Sequence, residues 1–342
     1  MKPEVFILTN GNLQIGFGHI ARTLVLASFF RNKGYRVSFI IPPTCSFIDI
    51  IKQENQVSKI NSFTDMKEIS SILDSSNAIK RIVIIDSVEE DYNALSCLRG
   101  VDNLFLVSIT LFLFDIKNRY EDLSFYPEFS LNRIMSCENI QGRTLKIYTG
   151  KSFLIFRNEF KNLSKHVRKN GQKVLLTMGG ADPKNLTLKV LNSISDFSNK
   201  TIIVLLNQSA DCYEAVSQLC QDNDLILKNR VDNIAQLILD ADIVVLNGGS
   251  TRYEACLCHT PFIAISIHKI QFKLTEKVTD ITDAINLGIY DELDASQIDN
   301  SIENLLRDYK SRKTISNKMK NLLDTNGVER ISNIIVSEYY NS

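Results

Sequence analysis

The chain has 342 residues, 44% of them hydrophobic, with 39 basic and 39 acidic side chains and a formal net charge of zero. That length exceeds one ordinary core and suits two domains, while the charge balance excludes the broad basic footprint of a nucleic-acid or anionic-lipid binder. Seven cysteines (Cys45, Cys97, Cys137, Cys212, Cys220, Cys256, Cys258) lack paired metal spacing, and no segment approaches the ~18 apolar residues of a membrane span, so reduced thiols in a soluble cytoplasmic protein are expected.

The run Val5-Phe6-Ile7-Leu8 suits a strand buried on both faces, and it leads into Gly16-Phe17-Gly18-His19. Residues 20–32 read as a helix with Leu24, Ala27 and Phe30 on one face and Gly34 as its stop, followed by a strand at 36–41. Helices near 46–53 and 65–75 alternate with strands at 81–86 and 103–108, the rhythm of a parallel sheet covered on both faces. Between about 115 and 160 the period is lost, so a first domain is expected over 1–150 and a second over 151–342. The second series opens with a strand at 173–177 and the turn Met178-Gly179-Gly180. Helices at 185–194, 211–220, 234–240 and 253–258 then alternate with strands at 201–206, 225–227, 243–246 and 261–265. The turn Asn247-Gly248-Gly249-Ser250-Thr251 follows the strand at 243–246. From about 274 the chain is helical and charged; its final stretch is expected to fold back across the first domain, with Tyr339 and Tyr340 as packing anchors.

Glycine lets backbone N–H groups approach an anion at a helix start, so phosphate is the natural ligand of the two glycine-rich junctions. The spacing Gly11-x4-Gly16-x-Gly18 is not a dinucleotide fingerprint, and the next strand ends in Ile40-Ile41-Pro42 without an acidic residue, which disfavours a dinucleotide. His19, in the first helical turn at the carboxyl edge of a sheet, suits a neutral imidazole that accepts a proton; packing at the turn is an equal alternative. Arg22 either contacts phosphate or pairs with a carboxylate. The 247–251 turn offers backbone donors and two hydroxyls, and Glu254 suits a ribose diol, while N-capping by Ser250 or Thr251 with Glu254 as its partner is the competing and compatible reading. Met178-Gly179-Gly180, taken alone, is a tight connection. His166, His259 and His268 lack metal-ligand spacing, so no metal site is expected, and His268, near Gln271, is a candidate lining residue.

The segment Ile15-Gly16-Phe17-Gly18-His19-Ile20-Ala21-Arg22-Thr23-Leu24-Val25-Leu26-Ala27 resembles the N-terminal signature of the UDP-2,4-diacetamido-2,4,6-trideoxy-beta-L-altropyranose hydrolase family of pseudaminic acid biosynthesis. Residues 150–160, 173–187 and 241–271 resemble that family's linker, further glycine turn and nucleotide-binding segment, in the same order. The resemblance implies a GT-B-like α/β fold: two Rossmann-like doubly wound domains facing a central cleft, related to the N-acetylglucosaminyltransferase of peptidoglycan synthesis. It also implies that His19 activates water, which displaces UDP from the sugar's anomeric carbon with inversion. The backbone at Gly248, Gly249, Ser250 and Thr251 would hold the diphosphate and Glu254 the ribose. Gly16, Gly18, Arg22, Asp86, Met178, Gly179 and Gln271 complete the implied substrate-binding set. A UDP-sugar is the implied partner, with no metal and no cofactor.

The chain departs from the family at Thr9-Asn10-Gly11-Asn12, where an Arg-x-Asp run is usual, at Ser108-Ile109-Thr110, where an aspartate is expected, and at Ile270, where the family has asparagine. These changes fall on the sugar-facing side. Three functions follow as alternatives: a UDP-sugar hydrolase of nonulosonic acid or surface glycan synthesis, a glycosyltransferase on the same scaffold, and an inactive sugar-nucleotide-binding protein. A transferase with a lipid acceptor would need a membrane-facing patch, for which Leu111, Phe112, Leu113 and Phe114 are the candidates.

Overall fold

The computed structural model describes residues 2–12, 14–74, 81–110, 119–129, 134–140, 143–180, 182 and 184–341. Leu111, Phe112, Leu113 and Phe114 lie outside the described residues. The chain forms two compact units, Met1–Arg157 with Thr325–Ser342, and Asn158–Asp324.

Strand-forming runs in the first unit alternate with helical ones as β1 (Glu4–Thr9), α1 (Gly18–Asn32), β2 (Arg36–Ile41), α2 (Ile48–Lys52), β3 (Gln56–Lys59), α3 (Met66–Asp74), β4 (Arg81–Asp86), α4 (Ala94–Leu98) and β5 (Leu104–Ile109). Three further strands follow, β6 (Leu123–Tyr126), β7 (Ile134–Ile140) and β8 (Arg143–Thr149). Among the described residues the strands form one sheet in the order β3-β2-β1-β4-β5-β6-β8-β7, parallel except where β7 runs against β8. Successive strand side chains point to opposite faces, so the apolar runs of β1 and β4 supply two cores at once. Val5, Ile7, Ile82 and Ile84 pack with Ile20 and Phe30 of α1 on one face, and Phe6, Leu8, Val83 and Ile85 pack with Ile69, Leu73 and Leu98 on the other.

The second unit repeats the plan with β9 (Lys173–Thr177), α5 (Leu186–Ser193), β10 (Thr201–Leu205), α6 (Tyr213–Asp222), β11 (Ile226–Lys228), α7 (Ile234–Asp240), β12 (Ile243–Asn247), α8 (Thr251–Leu257) and β13 (Phe262–Ser266). It continues through α9 (Lys269–Thr282), β14 (Ile285–Ile289), α10 (Ala295–Arg307) and α11 (Tyr309–Met319). Its sheet is parallel in the order β11-β10-β9-β12-β13-β14. In each sheet the winding direction reverses at one pair of neighbours, β1 with β4 and β9 with β12. Connections leave such a pair in opposite directions, which opens a crevice beyond the carboxyl ends of the two strands.

Three features depart from the sequence reading. The stretch between 115 and 160, read as aperiodic, contains β6, β7 and β8; β3 lies on a sheet edge; and β14 follows the strand expected to be last. Each is short, polar or at an edge, so none shows the continuous apolar run of a doubly covered strand. All seven cysteines are free. Among the described residues no helix is long and apolar enough to cross a membrane.

The last helix, α12 (Gly327–Asn341), belongs to the first unit, where Ile331, Ile335 and Tyr339 join the core around Phe30. Tyr339 also meets Phe105 edge-on, whereas Tyr340 is 60% exposed and is not a core anchor. Glu338 pairs with Lys146 of β8. The helix starts so close to its neighbour that a Cβ at Gly327 would stand 1.9 Å from the Leu154 carbonyl oxygen. Gly327→Ala is therefore expected to destabilise the protein by about 1–3 kcal/mol through overpacking, read as a lower thermal midpoint; an unchanged midpoint would contradict this docking.

Candidate active site

The loop from β1 to α1 is shaped by its own polar side chains. Asn10 accepts the Gly11 N–H through Oδ1 (2.8 Å), Asn12 accepts the N–H groups of Gln14 and Ile15 (2.9 Å each), and the Gly16 N–H returns to the Asn12 carbonyl (2.7 Å). Gly16 adopts φ +83°, a left-handed conformation that favours glycine. Gly11 is closely packed, since a Cβ there would lie 2.7 Å from Ile20 Cγ1. This loop delivers Gly18 and His19 to the first turn of α1, above the crevice between β1 and β4.

Asp86 ends β4 in register with Thr9 of β1, and its side chain has no exposed surface. A buried carboxylate must be paired, and Asp86 is paired through both oxygens. Its Oδ1 takes His19 Nδ1 and Arg22 Nη2, each at 2.7 Å, and its Oδ2 takes Arg22 Nε at 2.9 Å. Burial pushes the Asp86 carboxyl up, but the Arg22 charge and the hydrogen bonds from His19 and Arg22 outweigh it and leave the group below its ordinary value. Burial likewise pulls the Arg22 guanidinium down, and the facing Asp86 more than reverses it. Nδ1 of His19 also lies 2.9 Å from Arg22 Nη2, but that nitrogen donates to Asp86 Oδ1, and since an ionised carboxylate only accepts, the contact of Nδ1 with Asp86 places the proton on Nδ1. The lone pair is then on Nε2, which has no partner among the described residues.

This geometry decides between the two readings of Arg22: its guanidinium is committed to a carboxylate. It also places Asp86 against His19 with no exposed surface of its own, so the carboxylate meets the imidazole rather than solvent. Two neighbours had no signal in the sequence. Tyr92 is buried and donates to the Ile109 carbonyl (2.5 Å), bracing the corner after β4. Asp91 accepts from Asn10 Nδ2 (3.5 Å) and from the Ser87 hydroxyl, and burial, offset only partly by those bonds, holds its carboxyl above the usual range. Ser108, where the family's aspartate was expected, bonds Glu121 and Ser124 at 2.8 Å each in a buried network with Arg119.

In the second unit the 247–251 turn occupies the crevice of β9 and β12. The Asn247 side chain spans it, donating to the Met178 carbonyl (2.6 Å) and accepting the Gly249 N–H (3.0 Å). That N–H is thus spent inside the turn. Ser250 stands at the N-cap of α8 without a side-chain cap bond, so its hydroxyl remains available, and the capping-box reading does not hold. Arg252, only 4% exposed, donates to the carbonyls of Gly248 and Gly249 from below, and to the Tyr253 hydroxyl (2.6 Å). With its carbonyls held by Arg252, the turn keeps backbone donors at Ser250 and Thr251 that make no hydrogen bond among the described residues. Nothing in a lone arginine after Ser-Thr announces this role.

Gly248 is packed against α9: a Cβ would lie 2.7 Å from Gln271 Cγ and 2.6 Å from Thr275 Oγ1. Gln271 is thus brought to the turn, and its Oε1 accepts the Ile267 N–H at 2.7 Å. His268 caps α9 by accepting the Gln271 N–H (3.3 Å) rather than lining a site. Glu254 is half-buried in the first turn of α8. Met178 contributes its carbonyl only, its side chain being 1% exposed, beside Gly179 at φ +84°. Among the described residues no group of three or more histidine, cysteine, aspartate or glutamate side chains is placed to hold a metal ion.

Two Rossmann-like units in succession define a GT-B-type fold, and the solved structures agree. The fold matches MurG of Acinetobacter baumannii with a TM-score of 0.67 at 12% identity over 98% of this chain and 100% of that one. It matches the calicheamicin glycosyltransferase CalG4 with a TM-score of 0.64 at 13% identity over 100% of this chain and 99% of that one. No protein-family model matches the chain. By sequence it resembles the UDP-2,4-diacetamido-2,4,6-trideoxy-beta-L-altropyranose hydrolase family: it is 26% identical to that enzyme of Campylobacter jejuni over 78% of this chain and 93% of the relative. It is 30% identical to an uncharacterized protein of Methanocaldococcus jannaschii over 78% of this chain and 56% of the relative. It is 24% identical to the spore coat polysaccharide biosynthesis protein SpsG of Bacillus subtilis over 58% of this chain and 60% of the relative. The chain thus spans little more than half the length of these last two.

A carboxyl whose folded pKa is depressed contributes stability above its unfolded value, about 3.9, and loses it as pH falls through the folded value. The stability gap between the wild type and Asp86→Asn is therefore expected to be widest near neutral pH and to narrow below pH ~4. Urea midpoints measured across that range check this, and a constant gap would contradict the depressed carboxyl.

Proposed function

We propose that the protein hydrolyses a UDP-sugar, of the UDP-2,4-diacetamido-2,4,6-trideoxyhexose type, to UDP and free sugar in nonulosonic acid or surface glycan biosynthesis. The observation that carries this reading is the His19 and Asp86 pair, because it leaves Nε2 of a half-buried imidazole as an unpaired base. The names of two relatives, a nucleotide-sugar hydrolase and a spore coat polysaccharide biosynthesis protein, point to the same class of substrate.

In this mechanism Nε2 of His19 takes a proton from water as the water oxygen bonds to the anomeric carbon. The bond from that carbon to the UDP oxygen breaks on the opposite side, and UDP leaves with the electron pair. The anomeric centre inverts. Asp86 stabilises the imidazolium that forms without taking its proton, and Arg22 keeps Asp86 ionised so that it can do so. In the second unit the unpaired backbone donors at Ser250 and Thr251 neutralise charge developing on the diphosphate, with the Gly248 and Gly249 backbone shaping the turn, and Glu254 accepts from the ribose diol. UDP held in this way is a sufficient leaving group without a metal ion.

His19→Asn removes the base and is expected to lower turnover by about 10²–10⁴-fold while UDP affinity stays within about twofold. Glu254→Ala should show the converse, a weaker UDP complex with the base intact. Turnover measured in the presence of EDTA, alongside UDP calorimetry, checks both. Parallel loss of turnover and UDP affinity in His19→Asn would make His19 structural, and an unchanged UDP affinity in Glu254→Ala would overturn the ribose assignment.

A further inference from the structure

We infer that Asn247 is the positioning residue of the diphosphate turn, fixing its backbone in the anion-receptive form by tying it to the neighbouring glycine turn. The inference rests on the nucleotide reading above and deepens it. The strands β9 and β12 are hydrogen-bonded neighbours, with Leu246 opposite Thr177, so the two turns that follow them emerge side by side. Backbone pairing ends there, and one side chain carries the connection onward. Asn247 Nδ2 donates to the Met178 carbonyl at 2.6 Å, and its Oδ1 accepts the Gly249 N–H at 3.0 Å.

Both glycines are shaped around that amide. A Cβ on Gly179 would lie 3.0 Å from Asn247 Nδ2, and one on Gly249 would lie 2.8 Å from Asn247 Oδ1. Gly179 also holds φ +84°, which most side chains resist. The amide has one donor face and one acceptor face in use, and neither a carboxylate nor an aliphatic side chain of the same size supplies both. Because Oδ1 takes the Gly249 N–H, that donor is spent inside the turn, and the N–H groups that follow, at Ser250 and Thr251, are the ones without a hydrogen bond among the described residues. A flexible turn would have to lose that conformational freedom when the diphosphate binds; a turn already fixed does not. Asn247 contacts no part of the ligand in this account, and it acts through the turn.

The test compares UDP with uridine, which lacks the diphosphate, by calorimetry on the full-length protein. In Asn247→Ala, UDP affinity is expected to fall about tenfold or more, the equivalent of one to two hydrogen bonds, while uridine affinity stays within about twofold and KM rises more than kcat falls. Asn247→Asp, nearly isosteric, keeps the acceptor for Gly249 and loses the donor to Met178. It guards against a variant that fails to fold, and it should also lose UDP selectively. Unchanged UDP affinity in both variants overturns the inference, as does parallel loss of UDP and uridine, which would mean that Asn247 holds up the unit as a whole. Wild-type protein that binds neither ligand overturns the nucleotide reading, and the inference with it.

Discussion

A single buried carboxylate organises the first unit's chemistry. Asp86 has no contact with water, so its charge persists only because Arg22 meets it with two nitrogens and His19 with one. Removing one partner from such a group leaves an uncompensated charge in the interior, a cost of about 3–5 kcal/mol. Arg22 and His19 are three residues apart, on adjacent positions of one helical face, and both descend from α1 onto the end of β4. The position of that helix start is in turn set by the folded loop from Asn10 to Gly18. The imidazole therefore has one tautomer and one orientation before any substrate arrives.

In the second unit a neutral side chain stands at the corresponding place. The neutral Asn247 amide joins two backbone turns, and the Arg252 guanidinium holds two carbonyls from below. Under the proposed function the difference follows from what each crevice would bind. A base needs its proton location fixed by a carboxylate, whereas an anion is best met by backbone N–H groups free of nearby negative charge. Both sets of groups fall at the place where the strand order reverses, since only there do neighbouring loops part and leave room beyond the sheet.

Much of this was legible in the sequence. Strands such as β1, β4 and β12 are continuous apolar runs, and the glycine-rich turns after β1 and β12 stand out beside them. His19 and the 247–251 turn were singled out on those grounds. The part of the first sheet from β6 to β8 was not, because its strands are short and β7 pairs antiparallel at an edge, where polar residues are tolerated. The pairing of Asp86 was hidden for a different reason. Its partners lie more than sixty positions away, and only the neighbouring of β1 and β4 brings them together. Asn247 was read simply as the first residue of a turn, since the carbonyl it holds belongs to a turn met much earlier in the chain. The reading of Ser250 as a helix cap failed because its backbone is helical rather than extended, which points the hydroxyl away from the N–H groups it would cap.

The account stands or falls on whether water is the acceptor and the sugar carbon is the atom attacked. The most direct measurement is mass spectrometry of the products after incubation with a panel of UDP-sugars in ¹⁸O-labelled water, without an added acceptor. The account predicts unlabelled UDP together with free sugar carrying the label at its anomeric position. Label on UDP, or release of UDP only when a sugar or lipid acceptor is supplied, would contradict it.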